Sequence, residues 1–146
     1  ANALDVGEVD SIVKMGEYLG VDLSKGEHFL LACAKEAVLS PVLPPWEELE
    51  DEEGQPYYHN TRTRQTTRRH PLDKQFLELV RQLRAEPLEG AKGRTWMKFT
   101  EEAGAKTLFH NFEDGSRAEE CPEGGEIQPL PSELVPSYGS GEMTGA

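Results

Sequence analysis

Residues 44–71, PPWEELEDEEGQPYYHNTRTRQTTRRHP, open on Pro-Pro-Trp and close on a single proline. Tyr57-Tyr58-His59 is a β-favouring run. Gly54 before it marks one turn, and Asn60-Thr61-Arg62-Thr63 after it marks another. With Gln65-Thr66-Thr67-Arg68 as a third short strand, the stretch predicts a three-stranded antiparallel meander. Its charge is split: residues 46–53 hold six acids and no base, while Arg62, Arg64, Arg68 and Arg69 fall within eight residues that hold no acid.

Outward from this stretch the period becomes helical. After Pro71, Phe76, Leu77, Val80 and Leu83 form an apolar stripe, with Asp73 as a candidate cap and Pro87 beyond the end. Upstream, residues 7–19 read as a short helix carrying Ile12, Val13 and Leu19, with Gly16 as a weak point and Gly20 as a stop. Ser24-Lys25-Gly26-Glu27 reads as a capping box for a helix that runs to about Val38 and ends before Pro41.

The opening pattern returns downstream. Trp46 is followed eight residues later by Gly54, and Trp96 by Gly104 at the same distance. Tyr58-His59-Asn60 recurs as Phe109-His110-Asn111, and Asn111 precedes Pro122 by the eleven residues that separate Asn60 from Pro71. Residues 95–122 therefore read as a diverged second copy. The expected organisation is a helical hairpin (1–42), a sheet unit (43–72), a packing helix (73–87), a linker (88–94), a second sheet unit (95–122) and a disordered or surface-laid tail (123–146). The fold class is α+β: small three-stranded antiparallel sheets braced by flanking helices.

Composition narrows the function. The chain has 146 residues, 36% hydrophobic and 29% charged, which suits small modules better than one large core. A net charge of −12 argues against a general nucleic-acid binder. No stretch approaches the ~20 apolar residues of a membrane span, so no membrane insertion is expected. Cys33 and Cys121 are far apart with no partner at metal spacing, so neither a disulfide framework nor a metal is expected. With no secretory leader recognised, the expected setting is cytoplasmic and reducing. No phosphate loop, Ser-His-Asp set or Cys-His pair stands out; His28, His59, His70 and His110 read as structural, and no cofactor or catalysis is expected.

Leu43-Pro44-Pro45-Trp46, Gly54, Tyr57-Tyr58, Asn60, Thr66-Thr67 and Pro71 together resemble a WW domain. The resemblance implies a mini-core of Trp46, Tyr58 and Pro71, with Asn60 securing the second turn. It implies a peptide-binding face on Tyr57, His59, Thr61, Thr66 and Arg68 for a proline-rich segment in a polyproline II conformation. The family's second Trp is here Arg68, and its ligand-selecting His is Thr61, so one aromatic wall of the groove is missing. Arg68 with the neighbouring arginines suggests an acidic or phosphorylated segment as an alternative ligand; the other reading is that these arginines neutralise the acid run Glu47–Glu53 across the sheet or face water. In the second copy Trp96, Phe109, Asn111 and Pro122 keep the structural positions, while Leu108 and Glu119 stand where the groove would be.

Two helices, the Trp-to-Pro unit and a helix following His70-Pro71 directly are similar in order to the N-terminal module of a centriolar distal-appendage scaffold family. That likeness implies a non-catalytic adaptor in a cilium, flagellum or centriole, with a protein partner or the chain's own tail, Pro129-Leu130-Pro131-Ser132 or Val135-Pro136-Ser137-Tyr138, as occupant. The alternative expectation is a structural subunit of an axonemal or centriolar assembly whose sheets are permanently packed.

Overall fold

The computed structural model describes residues 4–138. In chain order its elements are β1 (Leu4–Asp5), α1 (Val9–Tyr18), α2 (Leu31–Leu39), β2 (Trp46–Glu50), β3 (Pro56–Asn60), β4 (Thr66–Thr67), α3 (Asp73–Ala85), β5 (Trp96–Glu101), β6 (Lys106–Asn111) and β7 (Arg117–Ala118). The fold is α+β, with one three-stranded antiparallel sheet ordered β2-β3-β4 and a four-stranded sheet ordered β1-β5-β6-β7.

The helices pair first. Ile12, Gly16 and Leu19 form the buried stripe of α1. Gly16 is a contact residue: a Cβ there lies 3.0 Å from Leu31 Cδ2, so glycine lets α2 approach closely. The α1 C-terminus closes at Gly20, in the left-handed region at φ +87°.

The expected capping box shifts by two residues. Asp22, not Ser24, holds the turn: its carboxylate accepts from the Ser24 amide at 3.0 Å, while Glu27 reaches back to the Asp22 amide at 2.9 Å. Gly26, left-handed at φ +78°, separates two short 3-10 turns, and the regular helix starts only at Leu31. Arg84 on α3 grips the same corner. It makes two bonds to the Glu27 carboxylate, at 2.8 and 2.9 Å, and one to the Gly20 carbonyl at 2.6 Å. These bonds hold the Glu27 carboxyl below its ordinary value. Asp73 does not cap α3; it lies in the first turn, largely buried, and its carboxylate accepts from the Tyr18 hydroxyl at 2.7 Å.

A single buried cluster joins Ile12, Leu30, Leu31 and Cys33 to Phe76, Val80 and Leu83 on α3 and to Met97 and Phe99 on β5. Burial pushes the Cys33 thiol up to about 12, so it stays neutral as a core residue. The first sheet contributes none of its strand residues to this cluster; Leu72, just past Pro71, is where the chain enters it. The helices close their core against the second sheet, and the first sheet sits beside it.

The last stretch overturns the expected disordered or surface-laid tail over its described part, 123–138. Ile127 and Leu130 are 5% and 9% exposed and belong to the buried cluster. Ile127 donates its amide to the Trp96 carbonyl at 2.7 Å, and Arg94 ties the Gly90 and Glu126 carbonyls together at 2.7 and 3.1 Å. The reason is an open strand edge: β5 needs partners on its outer side, and β1 and residues 126–127 supply them. Residues 139–146 of that expected tail lie outside the described residues.

The two sheets share a register. Trp46 faces Asn60 as Trp96 faces Asn111; Tyr58 faces Thr67 as Phe109 faces Ala118; His59 faces Thr66 as His110 faces Arg117. Their second turns match too, with one difference: the left-handed position is Arg64 (φ +68°) in the first and Gly115 (φ +79°) in the second. A side chain there costs ~1–2 kcal/mol, and glycine returns ~0.5–1 kcal/mol of that in chain entropy. Arg64→Gly is therefore expected to stabilise the chain by about 0.5–1 kcal/mol. A urea unfolding curve checks this through a raised midpoint at unchanged slope.

Candidate functional site

Strand alternation sorts the first sheet into two faces. The cross-strand pairs Leu49–Tyr57, Glu47–His59 and His59–Thr66 place these side chains on one side. Trp46, Tyr58 and Asn60 lie on the other. Asn60 is 5% exposed, and its side-chain oxygen accepts from the amides of Arg62 and Thr63 at 2.9 and 3.0 Å, which fastens the second turn. Asn111 accepts from Glu113 in the same way at 2.9 Å. Trp46, Tyr58 and Pro71 are each half-buried, and the Tyr58 ring packs edge-on to His70 with centroids 5.4 Å apart. Behind this face a hollow of about 720 Å³ separates Glu48 and Tyr58 from Met15, Tyr18 and Val38.

The outer face carries a groove of about 860 Å³ lined by Tyr57, Thr66, Thr67 and Arg68 together with Glu50, Asp51, Glu52 and Glu53. Arg68 stands over Tyr57, its guanidinium carbon 5.6 Å from the ring centroid. The same guanidinium pairs with the Asp51 carboxylate at 2.8 Å. Asp51 also accepts from the amides of Glu53 and Gln55, each at 2.9 Å, and those bonds together with Arg68 hold its carboxyl below the ordinary range.

Of the five residues expected on the peptide face, the groove brings together Tyr57, Thr66 and Arg68. His59 follows Tyr57 on the same side of β3. Thr61 serves the scaffold instead. Its hydroxyl and its amide both donate to the Pro45 carbonyl, at 3.0 and 2.8 Å, which locks the turn to the entry of β2. The four arginines do not form one anion receptor. Of Arg62, Arg64, Arg68 and Arg69 only Arg68 lines the groove; Arg62 and Arg64 belong to the turn at the far end of the sheet, and Arg68 is spent on Asp51. The pairing of Arg68 with Asp51 is the neutralisation across the sheet that the acid run at 47–53 suggested; what sequence reasoning missed is that Glu50, Asp51, Glu52 and Glu53 line the groove itself.

Among the described residues the tail does not enter this groove. Gln75 donates to the Ser137 carbonyl at 3.3 Å, and Tyr138 donates its hydroxyl to the Pro41 carbonyl at 2.6 Å. Residues 133–137 lie along α3, and Leu130 packs beside Ala32 and Leu83. The anchoring of Ile127 and Leu130 in the core fixes this path.

The corresponding face of the second sheet is occupied. Met97, Phe99, Leu108 and His110 stand at the positions of Glu47, Leu49, Tyr57 and His59, and all four are buried. Phe99 and Phe112 flank the His110 ring, which lies 4.8 Å from Phe112. Arg117 donates to His110 Nδ1 at 3.2 Å. Burial, then the nearby Arg117 charge, pushes the His110 pKa below its ordinary 6.5. The neutral ring is thus the stabilising form: its contribution is complete above pH 6.5 and is lost as pH falls from 6.5 toward the lower folded value. Unfolding free energy is expected to fall with acidification in that window, by at most about 1.4 kcal/mol per pH unit, and His110→Gln should flatten the slope. Paired unfolding curves between pH 7.5 and 5.5 measure it.

Among the described residues no cluster of three or more His, Cys, Asp or Glu could hold a metal ion, and no helix is long and apolar enough to cross a membrane. Residues 42–71 match the family model described as the WW domain. No curated protein matches the chain. The segment from Val42 to Pro71 is thus similar to a WW domain, a family of protein–protein interaction modules that bind proline-rich peptides.

Proposed function

We propose that the chain is a non-catalytic adaptor module whose first sheet captures an extended, proline-containing segment of a partner protein. Tyr57 supplies the wall on which the segment packs, Arg68 stands over it at the groove entrance, and His59 and Thr66 continue the surface. One observation carries this reading: the face that is buried against the helices in the second sheet is left open in the first, where Leu49 is 36% exposed. A sheet face that a protein of this size leaves uncovered, while covering its counterpart, is the natural place for a ligand.

Residues 95–122 are on this reading a diverged copy of the WW unit, supported by the shared register and turn geometry, whose own face has been given over to folding. A ciliary or centriolar scaffold is the proposed setting, supported by the order of helices and sheet around residues 8–85. Residue-by-residue amide NMR with proline-rich peptides tests the binding. Shifts are expected at Tyr57, His59 and Arg68, and Tyr57→Ala should abolish them while leaving the unfolding midpoint nearly unchanged. Silence at those positions across all peptides would sink the adaptor reading. The occupied second sheet favours a second reading, a structural subunit that binds no free peptide, and that same silence is what it expects. A tagged full chain that fails to concentrate at basal bodies or axonemes would sink the ciliary setting.

A further inference from the structure

The groove has a chemistry that its missing aromatic wall conceals. Its lining holds four acids, Glu50, Asp51, Glu52 and Glu53, against a single cation, Arg68. That cation is already committed to Asp51 at 2.8 Å. It also closes the slot. A ring inserted between two flat groups needs a contact distance of about 3.5–4.0 Å on each side, and the guanidinium stands only 5.6 Å from the Tyr57 centroid. A proline can enter there only if Arg68 swings away, and Asp51 then loses its partner among three other carboxylates.

We propose that the partner segment is basic as well as proline-containing: an arginine or lysine beside its proline takes the place of Arg68 at Asp51 while the proline occupies the face of Tyr57. The inference rests on reading this face as a peptide site. Three features argue for it. The exchange replaces one ion pair with another, and the Arg68 side of the existing pair is 64% exposed, so Arg68 loses little on release and the contact is a weak latch. Asp51 is pre-oriented by the Glu53 and Gln55 amides, so its free oxygen stays aimed into the groove when Arg68 leaves. Among the described residues Asp51 is the one carboxylate paired with Arg68, so the rest of the acid rim is left for the incoming cation. An acidic or phosphorylated segment meets the opposite situation, because it must approach a rim of four carboxylates to reach one neutralised arginine.

The test uses the full chain and three peptides of equal length with cores Pro-Pro-Arg-Pro, Pro-Pro-Gln-Pro and Pro-Pro-Glu-Pro, titrated by NMR and fluorescence anisotropy at low and moderate salt. The arginine peptide is expected to bind roughly tenfold more tightly than the glutamate peptide, with the gap narrowing as salt rises. Glu50→Gln, Glu52→Gln and Glu53→Gln together should erase most of the gap, and so should Asp51→Asn, which keeps the oxygen that accepts the turn amides. Arg68→Ala should tighten the arginine peptide, because the competing cation is gone. Equal or better binding of the glutamate peptide would overturn the proposal while leaving the peptide site intact, and so would equal binding of the glutamine and arginine peptides without salt dependence. No shift at Tyr57 with any of the three would overturn both it and the adaptor reading.

Discussion

Phe99→Ala should destabilise the whole chain by about 3–5 kcal/mol, the cost of emptying a well-packed aromatic site. Phe99 is 0% exposed and lies in the one buried cluster where α1, α2 and α3 meet the second sheet. Its ring also supports His110 edge-on at 6.3 Å and Phe112 at 6.1 Å, so truncation leaves both rings without that contact. Against a total of ~5–15 kcal/mol for a protein of this size, the loss is a large fraction. Thermal or urea unfolding reads it directly. The comparison that gives the result meaning is Leu49→Ala, the same register position in the first sheet. That residue is 36% exposed and its loss should change stability by less than about 1 kcal/mol. If the two substitutions cost the same, the asymmetry between the sheets is wrong.

Ending the chain at Pro122 should cost at least as much. It removes Ile127 and Leu130 from the core, each worth ~1.5–3 kcal/mol of burial, for a combined loss of about 3–6 kcal/mol. It also strips β5 of its Trp96–Ile127 bond and leaves the Trp96 indole bare where Gly125 now packs, so closely that a Cβ on Gly125 would lie 2.9 Å from Trp96 Cδ1. Ile127→Ala alone should lower stability by ~2–4 kcal/mol and serves as the point-mutant control. An unchanged unfolding midpoint in the shortened chain would return residues 123–138 to the status of a surface-laid tail.

The contrast between these two regions shows what could be read from the residues. The Trp46-to-Pro71 meander was legible because its signals are local: Gly54 and Asn60 are turn residues with one chemistry each, and Tyr57-Tyr58-His59 favours a pleated strand. The two upstream helices and α3 were legible by period. The cap at Asp22 was missed because Ser24 offers the same hydrogen-bonding chemistry two residues later. Residues 123–138 were misread because their composition is that of a loop: Ile127, Leu130, Leu134 and Val135 are scattered among Gly, Pro, Ser and Glu and carry no period.

The candidate site divides in the same way. Tyr57, His59, Thr66 and Arg68 share one side of the sheet because alternation along a strand is a local rule, and the chain order alone determined it. That Arg68 is paired with Asp51 depends on the first turn folding back across the sheet, a separation of seventeen residues that no pattern encodes. The roles of the two sheets were legible only in part: Leu108 and Glu119 at the groove positions of the second sheet argued against a peptide face there, but not that the helices would cover it. Both have the same strand register, and the residues on the second face, Met97, Phe99, Leu108 and His110, are only modestly more apolar than their counterparts. Which face the helices cover is decided by where the sum of buried apolar area is greatest, a property of the assembled molecule. Local chemistry settled the strands, turns and helices of this protein; the competition between two similar surfaces for one helical core settled which of them stays open.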